Sequence, residues 1–164
     1  MNEIPIVKPY SNEHQDQVVD LILQIQQREY NIPITKEEQP DLFTIKDFYQ
    51  KGHGNFWVAV FKDQVVGTIS LLDIGNNQVA LRKMFVDKNF RGKRYKTAHL
   101  LLDRAITWMK ENSIKSVFLG TTPQFLAAHR FYKKHGFTSI GIEELPKNFP
   151  LLQVDKKFYQ YSLT

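Results

Sequence analysis

The chain of 164 residues has no cysteine. That absence excludes disulfides, thiolate zinc sites, iron–sulfur ligation and a cysteine nucleophile, and it suits a reducing cytoplasm, the expected location. Long apolar runs are missing as well: the longest, Phe56–Phe61, has six residues, far short of a membrane span. The opening MNEIPIVKPY has no cationic segment followed by an apolar one, so no secretory leader is expected. No Gly/Ser linker, internal repeat or low-complexity tract interrupts the chain, so one domain over 1–164 is expected. His-Glu-x-x-His, Gly-x-Ser-x-Gly and Walker A patterns are absent, His129 and His135 do not share a helical face, and no metal is expected.

The net charge is +5, and it is unevenly placed. Seven basic residues lie between Arg82 and Lys96 (Arg82, Lys83, Lys88, Arg91, Lys93, Arg94, Lys96), opposed only by Asp87. That segment carries +6, which leaves 15 basic against 16 acidic residues elsewhere. A solvated lysine-rich loop is one explanation, and an anion-binding site is the other.

Hydrophobic periodicity separates them. Residues 3–9 predict a strand. Ser11 is a candidate N-cap for a helix with Val18, Leu21, Ile22 and Ile25 inward, fading near Arg28. Thr35 and Glu38 have capping-box spacing interrupted by Pro40, and a second helix is predicted from Asp41. Runs at 56–61, 65–72 and 79–86 predict three strands joined by short turns, an antiparallel meander. A helix is predicted from Lys93 to Asn112, then a strand at 115–119, then a helix begun by Thr122-Pro123 and ended by Gly136. Strands at 137–142 and 157–163 close the chain. The unit 79–119 implies a crossover between parallel strands, so the fold class is α+β, or mixed α/β, with helices on both faces of the sheet.

The basic cluster thus falls on a strand end, a loop and a helix start. A helix N-terminus carries partial positive charge and free amides, so Lys93, Arg94 and Lys96 are unfavourable there unless an anion docks. Strand–loop–helix with exposed amides is a phosphate cradle. A nucleic-acid surface is the competing explanation, since Phe85, Phe90 and Tyr95 interleave with the cations. It is disfavoured because the rest of the chain is slightly acidic.

Met84-Phe85-Val86 followed by Arg91-Gly92-Lys93-Arg94-Tyr95-Lys96, with Ala128-His129-Arg130-Phe131-Tyr132 and then Gly136-Phe137 further on, resembles the motifs of the GNAT superfamily of acyl-CoA-dependent N-acyltransferases. The order of elements is similar from residue 3 to 163. The segments QPDL (39–42) and LPKNFPLLQVDKKFY (145–159) are similar to one branch of small GNAT enzymes. The resemblance implies a single domain with a mixed, mostly antiparallel sheet of six to seven strands, splayed between 79–86 and 115–119. It implies acetyl transfer from acetyl-CoA to a primary amine (a small molecule, peptide N-terminus or lysine) by direct attack in a ternary complex. A non-catalytic acyl-CoA-binding module is the alternative. The expected state is a monomer or homodimer, with no membrane contact.

By the same resemblance, Met84, Phe85 and Val86 would pair with the pantetheine arm through their backbone. Arg91, Gly92, Lys93, Arg94, Tyr95, Lys96 and Thr97 would hold the phosphates, and Tyr132 would be the general acid for the leaving thiolate. On spacing alone Tyr132 reads rather as a core tyrosine on an apolar stripe with Ala128 and Phe125, and the family motif is what reverses that reading. Two loop positions usually glycine are Arg94 and Lys96 here. The position often held by an asparagine is Phe125, with Thr121 or Thr122 as its substitute. No base is assigned: Glu29, Asp73, Glu143 and Glu144 are the nearest carboxylates by topology, each also readable as a surface acid. The acceptor pocket is expected between Tyr30–Pro40 and Glu143–Asp155. Arg82 and Lys83 alternate on their strand, so one of them should face that pocket, as would suit a carboxylate-bearing acceptor.

Overall fold

The computed structural model describes residues 3–163; Met1, Asn2 and Thr164, part of the domain expected over 1–164, lie outside the described residues. Its centre is a seven-stranded sheet in the order β1-β2-β3-β4-β5-β7-β6. The strands are β1 (Ile6–Pro9), β2 (Asn55–Phe61), β3 (Gln64–Gly75), β4 (Gln78–Val86), β5 (Ser116–Thr121), β6 (Thr138–Ile140) and β7 (Lys157–Ser162). Neighbours are antiparallel except β4 and β5, which run parallel.

The meander follows from its turns. Lys62 and Asp63 (φ 49° and 67°) join β2 to β3, and Asn76 and Asn77 (φ 55° and 58°) join β3 to β4. Two consecutive positive φ values match the right-handed twist of a hairpin, and Asn and Asp tolerate them better than most residues. Alternation then sorts the side chains. Trp57 and Ala59 pack on one face with Leu101, Leu102, Ala105 and Met109 of α3 (Thr97–Glu111) and Tyr132 of α4 (Leu126–Lys134). Phe56 and Val58 pack on the other with Val18, Leu21 and Ile22 of α1 (Gln15–Leu23) and with Ile45 of α2 (Ile45–Phe48). Helices therefore cover both faces.

Three helices depart from the sequence expectation at their starts. α3 begins at Thr97 rather than Lys93, because Lys96 sits at φ 54°, a left-handed conformation that no helix interior accommodates. α4 begins at Leu126 rather than Thr122, since 122–126 close tight turns instead (Phe125 N–H to the Thr122 carbonyl, 3.2 Å). The helix expected from Asp41 contracts to a 3₁₀ turn, Pro40–Phe43, followed by the short α2. The Thr35/Glu38 capping box does form: the Thr35 amide donates to Glu38 Oε1 at 3.0 Å and the Glu38 amide to Thr35 Oγ1 at 3.3 Å. Pro40 stops it from nucleating a longer helix. The first helix continues past α1 as a π-helical stretch, Gln24–Glu29.

Two features of β4 make room for a site. It pairs with β5 only through Gln78–Ala80 opposite Ser116–Phe118; beyond that, β4 stays with β3 and β5 with β7, so the sheet opens. Within the opened part β4 carries a bulge. Phe85 opposes Thr68 and Arg82 opposes Ser70, so Lys83 and Met84 together span the single residue Ile69, with Lys83 at φ 54°. The buried hydroxyls of Thr68 and Ser70 donate to the Lys83 and Arg82 carbonyls, both at 2.6 Å, and hold the bulge.

Candidate active site

The splay opens a cavity of about 310 Å³. β4 contributes Leu81–Val86, β5 and the residues after it Leu119–Thr122, and α4 Ala128, Phe131 and Tyr132. Tyr30, Ile32 and Ile34 form one wall, and Phe149, Pro150, Leu152, Val154 and Asp155 the opposite one. The lining is mostly apolar, which concentrates attention on its charged members.

The bulge decides which charges these are. Strict alternation would turn only one of Arg82 and Lys83 to the cavity; with an extra residue inserted, both line it. Lys83 is buried. Its ammonium donates to Gln39 Oε1 and lies 3.7 Å from Asp41 Oδ2. Asp41 accepts a hydrogen bond from the Tyr49 hydroxyl, and Gln39 exchanges amide hydrogen bonds with Gln26 at 2.8 and 3.1 Å. Burial pushes the Lys83 ammonium down to about 8, against the attraction of Asp41. Arg82 is half-buried. Its guanidinium lies 5.9 Å from the Phe48 and Tyr49 rings and has no carboxylate within salt-bridge distance among the described residues.

On the opposite wall stands Asp155. Its Oδ2 lies 2.8 Å from the point where a side chain on Gly120 would begin, so the carboxyl packs onto bare β5 backbone at the mouth of the splay. Burial pushes Asp155 up to about 6, with Arg82 and Lys83 pulling the other way. Tyr132 is buried, its hydroxyl 3.5 Å from the Met84 sulfur. Burial, reinforced by the charge of Asp155, holds its phenol well above the ordinary tyrosine range, so it stays a proton donor.

The remaining sequence candidates are distributed as follows. Met84, Phe85, Val86, Arg91, Thr121 and Thr122 line the cavity with Tyr132. Gly92 (φ 94°), Lys93, Arg94, Tyr95, Lys96 and Thr97 form the loop between Arg91 and Ala98, both of which line it. Lys93, Arg94 and Lys96 are exposed, and Tyr95 packs against Phe61 and Phe90 (ring centroids 5.6 and 4.8 Å). The Thr97 hydroxyl donates to the Phe90 carbonyl at 2.8 Å. Arg91 makes a bidentate pair with Glu29 (2.5 and 2.8 Å) and donates to the Val86 carbonyl at 2.9 Å, which ties the π-helical stretch to the loop. That pairing holds Glu29 below the usual carboxylate range. Asp73 is engaged by the amides of His53 and Gly75, both at 2.9 Å, and Glu144 by the amide of Gly141 at 2.7 Å. None of Glu29, Asp73, Glu143 or Glu144 lines the cavity; the carboxylate that does is Asp155. Phe125 packs edge-on to Tyr30 (4.7 Å) and Phe85 (6.1 Å).

The site offers polar groups left without protein partners among the described residues. The Thr122 hydroxyl is buried without a hydrogen-bond partner among the described residues, and it lines the cavity. The first backbone bond of α3 runs from the Leu100 amide to the Lys96 carbonyl, so the amides of Thr97, Ala98 and His99 have no partner within the helix. The opened edges of β4 and β5 present further unpaired peptide groups.

A splayed mixed sheet with an amide-bearing loop at the start of α3 defines a class, and comparison with known proteins agrees. The profile of the acetyltransferase (GNAT) family matches residues 19–137, and the chain belongs to that family. It superimposes on an acetyltransferase of the GNAT family from Staphylococcus aureus Mu50 with a TM-score of 0.94 at 39% identity, covering 98% of this chain and 99% of that one. An acetyltransferase from Streptococcus agalactiae 2603 gives a TM-score of 0.92 at 31% identity, covering 97% and 98%. In sequence the chain is 41% identical over 106 residues to the N-acetylaspartate synthetase of Danio rerio, which is 63% of this chain and only 37% of that protein's length. The fold is the GNAT-type domain, shared along almost their whole length with these two acetyltransferases. Among the described residues no helix is long and apolar enough to cross a membrane.

Proposed function

We propose that this protein transfers the acetyl group of acetyl-CoA to the primary amine of a small acceptor that also carries a carboxylate. The observation that carries the substrate class is Arg82: a half-buried guanidinium in an apolar cavity, with no protein carboxylate in salt-bridge reach among the described residues. Lys83 adds a second, buried cation beside it. Desolvated cations in an apolar pocket are matched by an anion, and Arg suits a carboxylate because its fork binds both oxygens. The relatives named N-acetylaspartate synthetase are consistent with this reading, since their named product is an acetylated amino acid with two carboxylates.

In this reading the acyl-CoA supplies the activated acetyl group. The Thr122 hydroxyl and the opened edge of β4 at Met84–Val86 bind its arm. The 92–97 loop receives its phosphates, through amides and through Lys93, Arg94 and Lys96. Tyr132 gives its proton to the departing sulfur: a phenol holds its proton more tightly than a thiol, so the transfer is driven by the strongly acidic, newly acetylated nitrogen, which returns a proton to Tyr132.

A thiol-release assay over a panel of amines tests the proposal. Acidic amino acids should be turned over with far higher kcat/KM than the corresponding amines lacking carboxylates. Arg82→Gln should raise KM for the acidic acceptor at least tenfold with kcat nearly preserved, the signature of lost ground-state binding. Equal turnover of uncharged amines, peptide N-termini or lysine would refute the substrate class.

A further inference from the structure

The amine of the acceptor arrives as an ammonium and must lose a proton before it attacks, yet none of the carboxylates suggested by topology reaches the cavity. We propose that Asp155 is the group that receives the acceptor's ammonium and takes its proton.

The geometry places Asp155 where such a group is needed. It follows the Phe149–Val154 wall and its carboxyl rests against Gly120, on the strand that forms one lip of the splay. Any side chain at 120 would displace it, since a Cβ there would lie 2.8 Å from Oδ2 and 3.0 Å from Cγ. Across the cavity stand Arg82 and Lys83 of β4, and from α4 comes Tyr132; these are the ionisable groups that face Asp155. Gly120 of β5 lies against it without charge, and Lys157 is turned to the Tyr159 ring. On its own loop it has the Leu152 amide as a donor. An amino acid fits this polarity: its carboxylate toward Arg82 and Lys83, its ammonium toward Asp155, its nitrogen on the same side as Tyr132. This placement rests on the acceptor class proposed above; the proton-transfer role does not.

Burial raises Asp155 to about 6, which brings its proton affinity closer to that of an amine than an exposed carboxylate's would be. In water the mismatch between amine and carboxylate is about a millionfold. The protons balance. Asp155 accepts one proton from the ammonium and passes it to solvent. The nitrogen lone pair forms the C–N bond as the C–S bond breaks and its electron pair leaves with sulfur. Tyr132 protonates that sulfur, and the second proton lost by the acetylated nitrogen restores Tyr132. One proton is released per turnover.

The test is the pH profile of kcat/KM for wild type, Asp155→Asn and Asp155→Glu. The assay uses the best acceptor found in the amine panel, and CoA affinity is measured alongside by calorimetry. In wild type the rate should rise with pH as Asp155 ionises, levelling off above a midpoint near 6. Asp155→Asn should lose that limb and lower kcat by about a hundredfold or more, a typical loss for a general base, with CoA affinity unchanged. Asp155→Glu should restore part of the rate together with a shifted limb. An unaltered limb in Asp155→Asn, a kcat within threefold of wild type, or a change in KM alone would overturn the proposal. If the panel favours an acceptor without a carboxylate, the acceptor class falls, while the same three profiles, run on that acceptor, still decide the role of Asp155.

Discussion

Lys83 gives a prediction that separates the cost of burying its charge from the attraction of its neighbours. Its side chain is 5% exposed, that of Asp41 7%, and the pair is 3.7 Å apart. If attraction dominated, the ammonium would be held above its ordinary range. Desolvation dominates instead and lowers it from 10.5 to about 8. At neutral pH the folded protein therefore carries a charging penalty of about 3 kcal/mol at this one side chain, at 1.36 kcal/mol per tenfold change in proton affinity. Between pH 8 and 10.5 the unfolded chain holds this proton and the folded chain does not. Unfolding then takes up a proton, so stability rises with pH across that window as the penalty is relieved.

Lys83→Met removes the titration while keeping most of the side-chain volume. The quantity to measure is the stability of wild type minus that of Lys83→Met, by urea denaturation at a series of pH values from 7 to 10. Other lysines and tyrosines titrate in both proteins and cancel in the difference. That difference should climb by about 2–3 kcal/mol, equivalent to roughly 5–10 °C in relative Tm for a domain of this size. A flat difference would mean that Lys83 is not desolvated in the folded protein. A falling one would mean that Asp41 outweighs burial. Either result refutes the reasoning. Above pH 8 the loss of this charge should also raise KM for a carboxylate-bearing acceptor.

Two other outcomes follow from the site. Tyr132→Phe should lower kcat at least tenfold and leave CoA affinity within twofold, measured by thiol release and calorimetry; unchanged turnover would remove Tyr132 from proton transfer. Replacing Lys93, Arg94 and Lys96 together by Ala should weaken CoA binding by about 1–3 kcal/mol and flatten its dependence on salt, measured by titration at several ionic strengths; unchanged affinity would leave the amides of the loop as the whole phosphate site.

What the sequence showed of the fold is what local chemistry determines. The meander was legible because Lys62-Asp63 and Asn76-Asn77 sit between alternating strands, and the C-terminus of α4 because Gly136 takes φ 92° just beyond it. Helix starts were not legible. A lysine in the left-handed region gives no compositional sign of itself, and Lys96 read as the interior of a helix that it instead precedes. The same blindness hid the bulge: at φ 54° a glycine or asparagine at 83 would have drawn notice, and a lysine did not. One unrecognised bulge was enough to turn an expected choice between Arg82 and Lys83 into a pair.

The carboxylates show why the site was harder to read than the fold. Glu29 looked available and is tied to Arg91 across 62 positions of sequence. Asp155 looked like one more acid in a proline-rich connection, and its importance comes from Gly120, whose missing side chain leaves room for the carboxyl. Gln39 and Asp41 lie in the QPDL segment, which had stood out only as a likeness to a branch of the family; in the fold they are the groups that hold the Lys83 ammonium. The resemblance could suggest an acyl-CoA half because the binding it implies uses backbone, and backbone geometry goes with the fold. The acceptor half proposed above draws on side chains at 26, 39, 41, 82, 83 and 155, brought together from both ends of the chain. Their roles depend on burial and mutual distance, which no single segment encodes. The cavity's charge pattern, two cations facing one carboxylate across apolar walls, is therefore the feature on which a substrate assignment should rest, ahead of the identity of any relative.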